Sequence, residues 1–176
     1  MIKKAAEFAK RAHDGVYRKG TQIPYTTHPM ETAAIVTAFT DEPEMIAAAL
    51  LHDVIEDAGV TKEELEEQFG PRVAFLVDSE SEDKSKSWIE RKGSTVEHLK
   101  TATRAEKILA LADKLSNIRS TARDYLVLGD EVWQRFNQKD KQMQGWYYKG
   151  VAEALKEFKG HIYYEEYVML CEKVFG

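Results

Sequence analysis

His28, His52, Asp53 and Asp113 are the side chains of this 176-residue chain whose types and spacing could hold a metal ion. Glu56 and Asp57 follow His52 and Asp53 at four-residue spacing, so on a helix of about 3.6 residues per turn each pair stacks on one face. Asp113 and Asn117 repeat that spacing. A mixed imidazole and carboxylate set suits Mn²⁺, Fe²⁺ or Zn²⁺ better than a thiolate-seeking ion. Four protein ligands leave positions for water or substrate on an octahedral metal, and Glu56 and Asp57, one turn further on, are close enough to position or deprotonate a bound water. Two plainer readings stay open. A lone helical histidine can be a hydrogen-bonded core residue, and acids at a helix end can be a solvated face.

The element that must carry most of these groups is Ala47 to Asp57, read as one helix with Leu51, Val54 and Ile55 on one arc and His52, Asp53, Glu56 and Asp57 on the other. Ile46, Ala49 and Leu50 continue the polar arc upstream as apolar residues, so the helix is expected to be buried nearly all round and to carry its acidic end inward. Buried carboxylates are strongly disfavoured unless they neutralise or find a cation. A second apolar helix, Arg104 to about Ser120, ends in Asp113 and Asn117. If the two pack side by side, His52, Asp53 and Asp113 converge, and His28, just before a helix starting at Pro29, supplies a fourth ligand.

The remaining pattern is helical. Helices are expected from Ile2 to about His13, Pro29 to about Phe39, Thr61 to near Phe69, through Val77 after Gly70-Pro71, from Trp88, and from Tyr163 to Val174. Glu131 to about Phe158 reads as helix interrupted at Gly145 and Gly150. Val16 to Pro29 reads as an irregular loop, and Asp78 to Ser87 as a solvated polar one. Arg18-Lys19 lies in the first of these, where two cations would make an electropositive lip for a phosphate ester over an acidic metal site. His13 is read as a helix-end residue, and His98 and His161 as surface residues. No alternating strand pattern, repeat or dividing linker is present, so the fold class is all-α and residues 1–176 are expected to form a single domain.

A net charge of −5 excludes a broadly basic surface for tracking nucleic acid. No apolar run approaches the ~20 residues of a membrane span. The only cysteine, Cys171, lies in an apolar segment and reads as a packed residue, which fits a reducing cytoplasm. The expected protein is soluble, unprocessed and cytoplasmic, with no nucleic-acid polymer or membrane as partner. Aromatics at Trp133, Phe136, Trp146 and Tyr147 leave either core packing or a homo-oligomer contact open.

His28 in Pro24-Tyr25-Thr26-Thr27-His28-Pro29, His52 and Asp53 in Ala49-Leu50-Leu51-His52-Asp53-Val54-Ile55-Glu56-Asp57, and Asp113 in Leu111-Ala112-Asp113-Lys114-Leu115-Ser116-Asn117-Ile118-Arg119 together resemble the HD superfamily of metal phosphohydrolases. More narrowly, they are similar to the hydrolase domain of the Rel/SpoT family and to stand-alone small alarmone hydrolases. The resemblance runs from the first helix to at least Arg119. It implies a compact multi-helix HD bundle with a metal site between helices, and a Mn²⁺-dependent hydrolase that removes the 3′-pyrophosphate of guanosine tetra- or pentaphosphate. By matched position it implies His28, His52, Asp53 and Asp113 as metal ligands and Glu56 and Asp57 as the pair that activates water. Arg18 and Lys19 match a basic pair beside the guanine, Asn117 an asparagine facing the nucleotide, and Tyr147 a phosphate-contacting tyrosine. The chain departs from the pattern at Trp88, ahead of Glu90-Arg91-Lys92, where some small members carry a phosphate-binding lysine; Lys84 or Lys86 would have to substitute. With no room for a synthetase region, hydrolysis alone is expected. The alternatives are a related enzyme acting on another nucleotide or phosphate ester, and a catalytically silent nucleotide sensor.

Overall fold

Proline at the first helical position with an acid behind it, as in Pro43-Glu44, and a threonine or serine three residues ahead of a glutamate are the signals that open helices in this chain. A computed structural model describes residues 1–176 and contains ten α-helices and two 3₁₀ helices. They are α1 (Ile2–Ala12), α2 (Thr27–Val36), α3 (Pro43–Leu51), α4 (Val54–Ala58), α5 (Lys62–Phe69), α6 (Pro71–Glu80), α7 (Trp88–Thr101), α8 (Arg104–Leu128), α9 (Lys141–Ala154) and α10 (Ile162–Phe175), with 3₁₀ turns at Gly129–Arg135 and Lys156–Phe158. The chain is all-α; its one extended pairing is an isolated antiparallel bridge between Tyr17 and Pro24. No helix is long and apolar enough to cross a membrane.

Two compact units emerge, the first comprising residues 1–82 and 103–113 and the second residues 83–102 and 114–176. In the first, α3 is the centre: it packs against α1, α2 and α6. Ala47, Ala48, Ala49, Leu50 and Leu51 are all buried, so α3 is enclosed on every side as its composition requires. Small residues at Ala5 and Ala9 on α1 and Ala33 on α2 let the neighbouring backbones come close, while Ile35, Val36, Leu76 and Val77 fill the rest. The opening stretch of α8 belongs to this unit and is started by a capping box, in which the Thr103 hydroxyl accepts from the Glu106 N–H and the Glu106 carboxylate accepts from the Thr103 N–H. Leu51→Ala, at the fully buried end of α3, is expected to destabilise by about 2–5 kcal/mol. Thermal denaturation followed by far-UV circular dichroism should then show the midpoint lowered by on the order of 10 °C.

In the second unit α9 packs against α7 and α10. The expected breaks at Gly145 and Gly150 do not occur: both glycines lie inside α9, where each faces a neighbour that leaves little space for a side chain. A Cβ at Gly145 would stand 3.1 Å from Phe175, and one at Gly150 3.2 Å from Val96. The break falls earlier, between the 3₁₀ turn and Asp140, whose side chain caps α9. Trp133 and Tyr147 are core residues rather than a subunit contact, Trp133 stacking on Phe175. Cys171 is buried on α10, and burial pushes its thiol up to about 12, consistent with a packed, unreactive residue.

Candidate metal centre

The helix read from Ala47 to Asp57 is in fact two. α3 ends at Leu51, a turn at His52–Asp53 intervenes, and α4 restarts at Val54. Adjacent residues on an undisturbed helix point about 100° apart. Here the Asp53 backbone relaxes to φ −97°, ψ −4°, and the His52 Nε2 and Asp53 Oδ2 atoms come to lie 3.1 Å apart. The break also limits how far the acidic end is carried inward. His52 is buried and Asp53 nearly so, but Glu56 is half-buried and Asp57 is exposed.

α2 starts at Thr27, two residues earlier than its proline suggests, so His28 lies in its first turn rather than ahead of it. From there His28 Nε2 reaches 3.1 Å from His52 Nε2, 3.4 Å from Asp53 Oδ2 and 3.0 Å from Asp113 Oδ1. Asp113, on α8, is also 3.5 Å from His52 Nε2. Donor atoms of His28, His52 and Asp113 therefore lie within 4.8 Å of one another in the first unit, and Asp53 Oδ2 stands beside both histidines. His28, His52 and Asp113 are fully buried there.

His52 Nδ1 lies 2.8 Å from the Ala49 carbonyl oxygen, which can only accept, so Nδ1 carries the hydrogen and Nε2 turns its lone pair inward. Nitrogen lone pairs crowded against two carboxylates require a positive charge between them. A cation bound at about 2.0–2.2 Å with ligands at right angles holds neighbouring donor atoms about 3 Å apart, close to the 3.0 to 3.5 Å separations given above. The donor set fits a divalent metal. With a proton in its place, the charges still show the demand for a cation. Burial drives the His52 imidazole down, yet Asp53 and Asp113 outweigh it and hold it well above the usual range. Burial likewise pushes Asp53 up, and the two histidines overcome it and hold the carboxyl well below the ordinary carboxylate value.

Glu56 accepts a hydrogen bond from the Glu82 backbone N–H at 2.6 Å, so the end of α6 and the polar stretch behind it fix this carboxylate. That stretch is shorter than the sequence suggests, since α6 continues to Glu80. The loop expected to be irregular between Val16 and Pro29 is closed by backbone hydrogen bonds from Arg18 to the Ile23 carbonyl and from Tyr25 to the Val16 carbonyl. Gly20, at φ 69°, makes the turn between them. Arg18 lies over the Tyr25 ring at 5.6 Å, and Lys19 is exposed beside it.

Lys84, Asn117 and Tyr147 belong to the second unit. Lys84 is exposed, Asn117 half-buried on α8, and Tyr147 buried with its ring facing the Lys92 ammonium at 5.0 Å. Trp88, the departure from the expected lysine, packs its indole near Trp146 and Tyr147. His98 is exposed, and His161 caps α10. Two residues at the candidate metal centre have no role in it in the sequence reading. Tyr25 donates its hydroxyl to Asp53 Oδ2 at 2.6 Å. His13 is buried against the Tyr25 ring with Nε2 lacking any hydrogen-bond partner, and burial pulls its basicity down. For Tyr25 the available signal was its place one helical turn ahead of His28; for His13 there was none beyond its position at a helix end.

Comparison with known proteins gives a consistent result. The HD domain family matches residues 5–139. The guanosine-3′,5′-bis(diphosphate) 3′-pyrophosphohydrolases of Xenopus tropicalis and Homo sapiens are each 34% identical, over 91% of this chain and 86% of the relative. Among solved structures, a Listeria monocytogenes protein superposes with a TM-score of 0.77 at 34% identity, covering 84% of this chain and 98% of that one. A metazoan ortholog of SpoT, described as hydrolysing guanosine tetraphosphate, superposes with a TM-score of 0.81 at 27% identity over 98% of this chain and 94% of its own.

Proposed function

Because this chain belongs to the HD domain family, we propose that it is a hydrolase that removes the 3′-pyrophosphate of guanosine tetra- or pentaphosphate, giving GDP or GTP and pyrophosphate. The observation that carries this reading is the cluster of His28, His52 and Asp113, with Asp53 beside both histidines, in a chain similar along most of its length to enzymes of that activity. Mn²⁺ is the proposed ion, with Fe²⁺ and Zn²⁺ as alternatives; the nitrogen and oxygen donors and the burial of the one thiol elsewhere support that choice. A divalent ion in this set supplies Lewis-acid stabilisation for charge gathering on the phosphoryl oxygens.

The chain's own groups do the rest. Glu56, fixed by the Glu82 amide, accepts the proton of the attacking water, with Asp57 beside it to align that water. Water adds to the phosphorus bonded to the ribose 3′ oxygen, that bond breaks, the ribose oxygen takes up a proton, and pyrophosphate departs. Arg18 and Lys19 are assigned to the guanine end, and Lys84, Asn117 and Tyr147 to the nucleotide and its phosphates. We read residues 1–176 as one functional domain acting in the cytoplasm, the former supported by a family match that spans parts of both units.

Incubation with guanosine tetraphosphate and a panel of divalent ions, with products separated by ion exchange, tests the proposal. Expected are GDP and pyrophosphate in Mn²⁺ and none with a chelator. Orthophosphate release from other nucleotides, with guanosine tetraphosphate untouched, would point to a different phosphate ester. Tight binding without turnover would point to a sensor.

A further inference from the structure

Asp53 is the least enclosed of the four converging ligands, its side chain retaining about a fifth of its exposure while those of His28, His52 and Asp113 retain almost none. A carboxylate on the second residue of a relaxed turn has no helix to fix its orientation. Besides the two histidines it faces, one further side chain bonds to it. The Tyr25 hydroxyl donates at 2.6 Å to Oδ2, the same oxygen that faces both histidines. An acceptor oxygen has a second lone pair, so this bond leaves one for a cation while preventing the carboxylate from swinging away.

Tyr25 is itself held from several directions. Its N–H donates to the Val16 carbonyl at 2.8 Å, which closes the loop carrying Arg18. His13 lies against its ring at a centroid distance of 4.8 Å, and His28 meets it edge-on at 5.8 Å. The Arg18 guanidinium lies over it at 5.6 Å.

We propose that Tyr25 is the positioning residue of the metal centre, aiming Asp53 through its hydroxyl and joining the Arg18 loop to the ligand set. The inference rests on the reading of these four residues as metal ligands. Tyr25 is not a metal ligand and does not touch the reacting atoms in this role. Outer partners of metal ligands typically change affinity by about 10–100-fold when removed.

Tyr25→Phe deletes the hydroxyl and keeps the ring that His13, His28 and Arg18 touch; Tyr25→Met deletes both while filling similar space. Mn²⁺ titration of the metal-free proteins, read by calorimetry or by the electron paramagnetic resonance of free Mn²⁺, should give dissociation constants raised about 10–100-fold in both variants. The metal-free Tyr25→Phe protein should melt within a few degrees of the wild type, and its kcat should recover at saturating Mn²⁺. Equal Mn²⁺ affinity in wild type and both variants would overturn the role of Tyr25 and leave the metal centre standing. A wild-type chain that binds no divalent ion would overturn the metal centre, and this inference with it.

Discussion

Asp53→Ala is expected to abolish tight divalent-metal binding and, with it, hydrolysis. Three causes act together. The substitution removes one of two carboxylates facing His28 and His52, so the site loses a unit of negative charge that a divalent ion needs. It empties the position on the open side of the cluster, where the other three ligands cannot follow because they are packed in place. It also strands the Tyr25 hydroxyl. Lewis-acid stabilisation is worth several kcal/mol in the transition state, so turnover should fall on the order of 10³-fold or more. Calorimetric Mn²⁺ titration and product assay on the same preparation check both halves. Retained metal affinity near the wild-type value would show that the cluster is an ordinary ion pair.

Glu56→Gln is the second large effect and has the opposite signature. Glutamine has the same shape and keeps an acceptor oxygen for the Glu82 N–H, so the contact that fixes this position survives. What disappears is the carboxylate able to take a proton. General-base contributions run to about 10²–10⁴-fold, and kcat should drop within that range while Mn²⁺ affinity stays close to wild type. Steady-state kinetics beside metal titration separates the two variants: loss of metal for Asp53→Ala, retention without turnover for Glu56→Gln. Full activity in Glu56→Gln would refute the assigned role and move attention to Asp57, which is exposed on the same short helix.

Much of the architecture could be read from local sequence because local signals produced it. Thr61 caps α5 through the Glu64 N–H, Ser87 forms a capping box with Glu90, and Gly59, at φ 68°, ends α4. The errors lie where distant contacts overrode those signals. Gly145 and Gly150 looked like helix breakers, but Phe175 and Val96 press against them and make them packing residues inside α9. Pro29 looked like a helix start, yet the Pro24 and Tyr25 carbonyls accept the Thr27 and His28 N–H groups and begin the turn sooner.

The candidate metal centre divides in the same way. Residue type and spacing alone singled out His28, His52, Asp53 and Asp113, because an apolar helix ending in unneutralised acids needs a cation whatever the details of its packing. Tertiary structure alone decided that the helix yields between Leu51 and Val54, that Asp57 stays open to solvent while His52 is sealed, and that Tyr25 bonds to Asp53 across 28 positions of sequence. Burial and periodicity are summed over neighbours along the chain and leave a trace in the order of residues. The direction in which one carboxylate points is set by atoms that meet only when separate helices close around it.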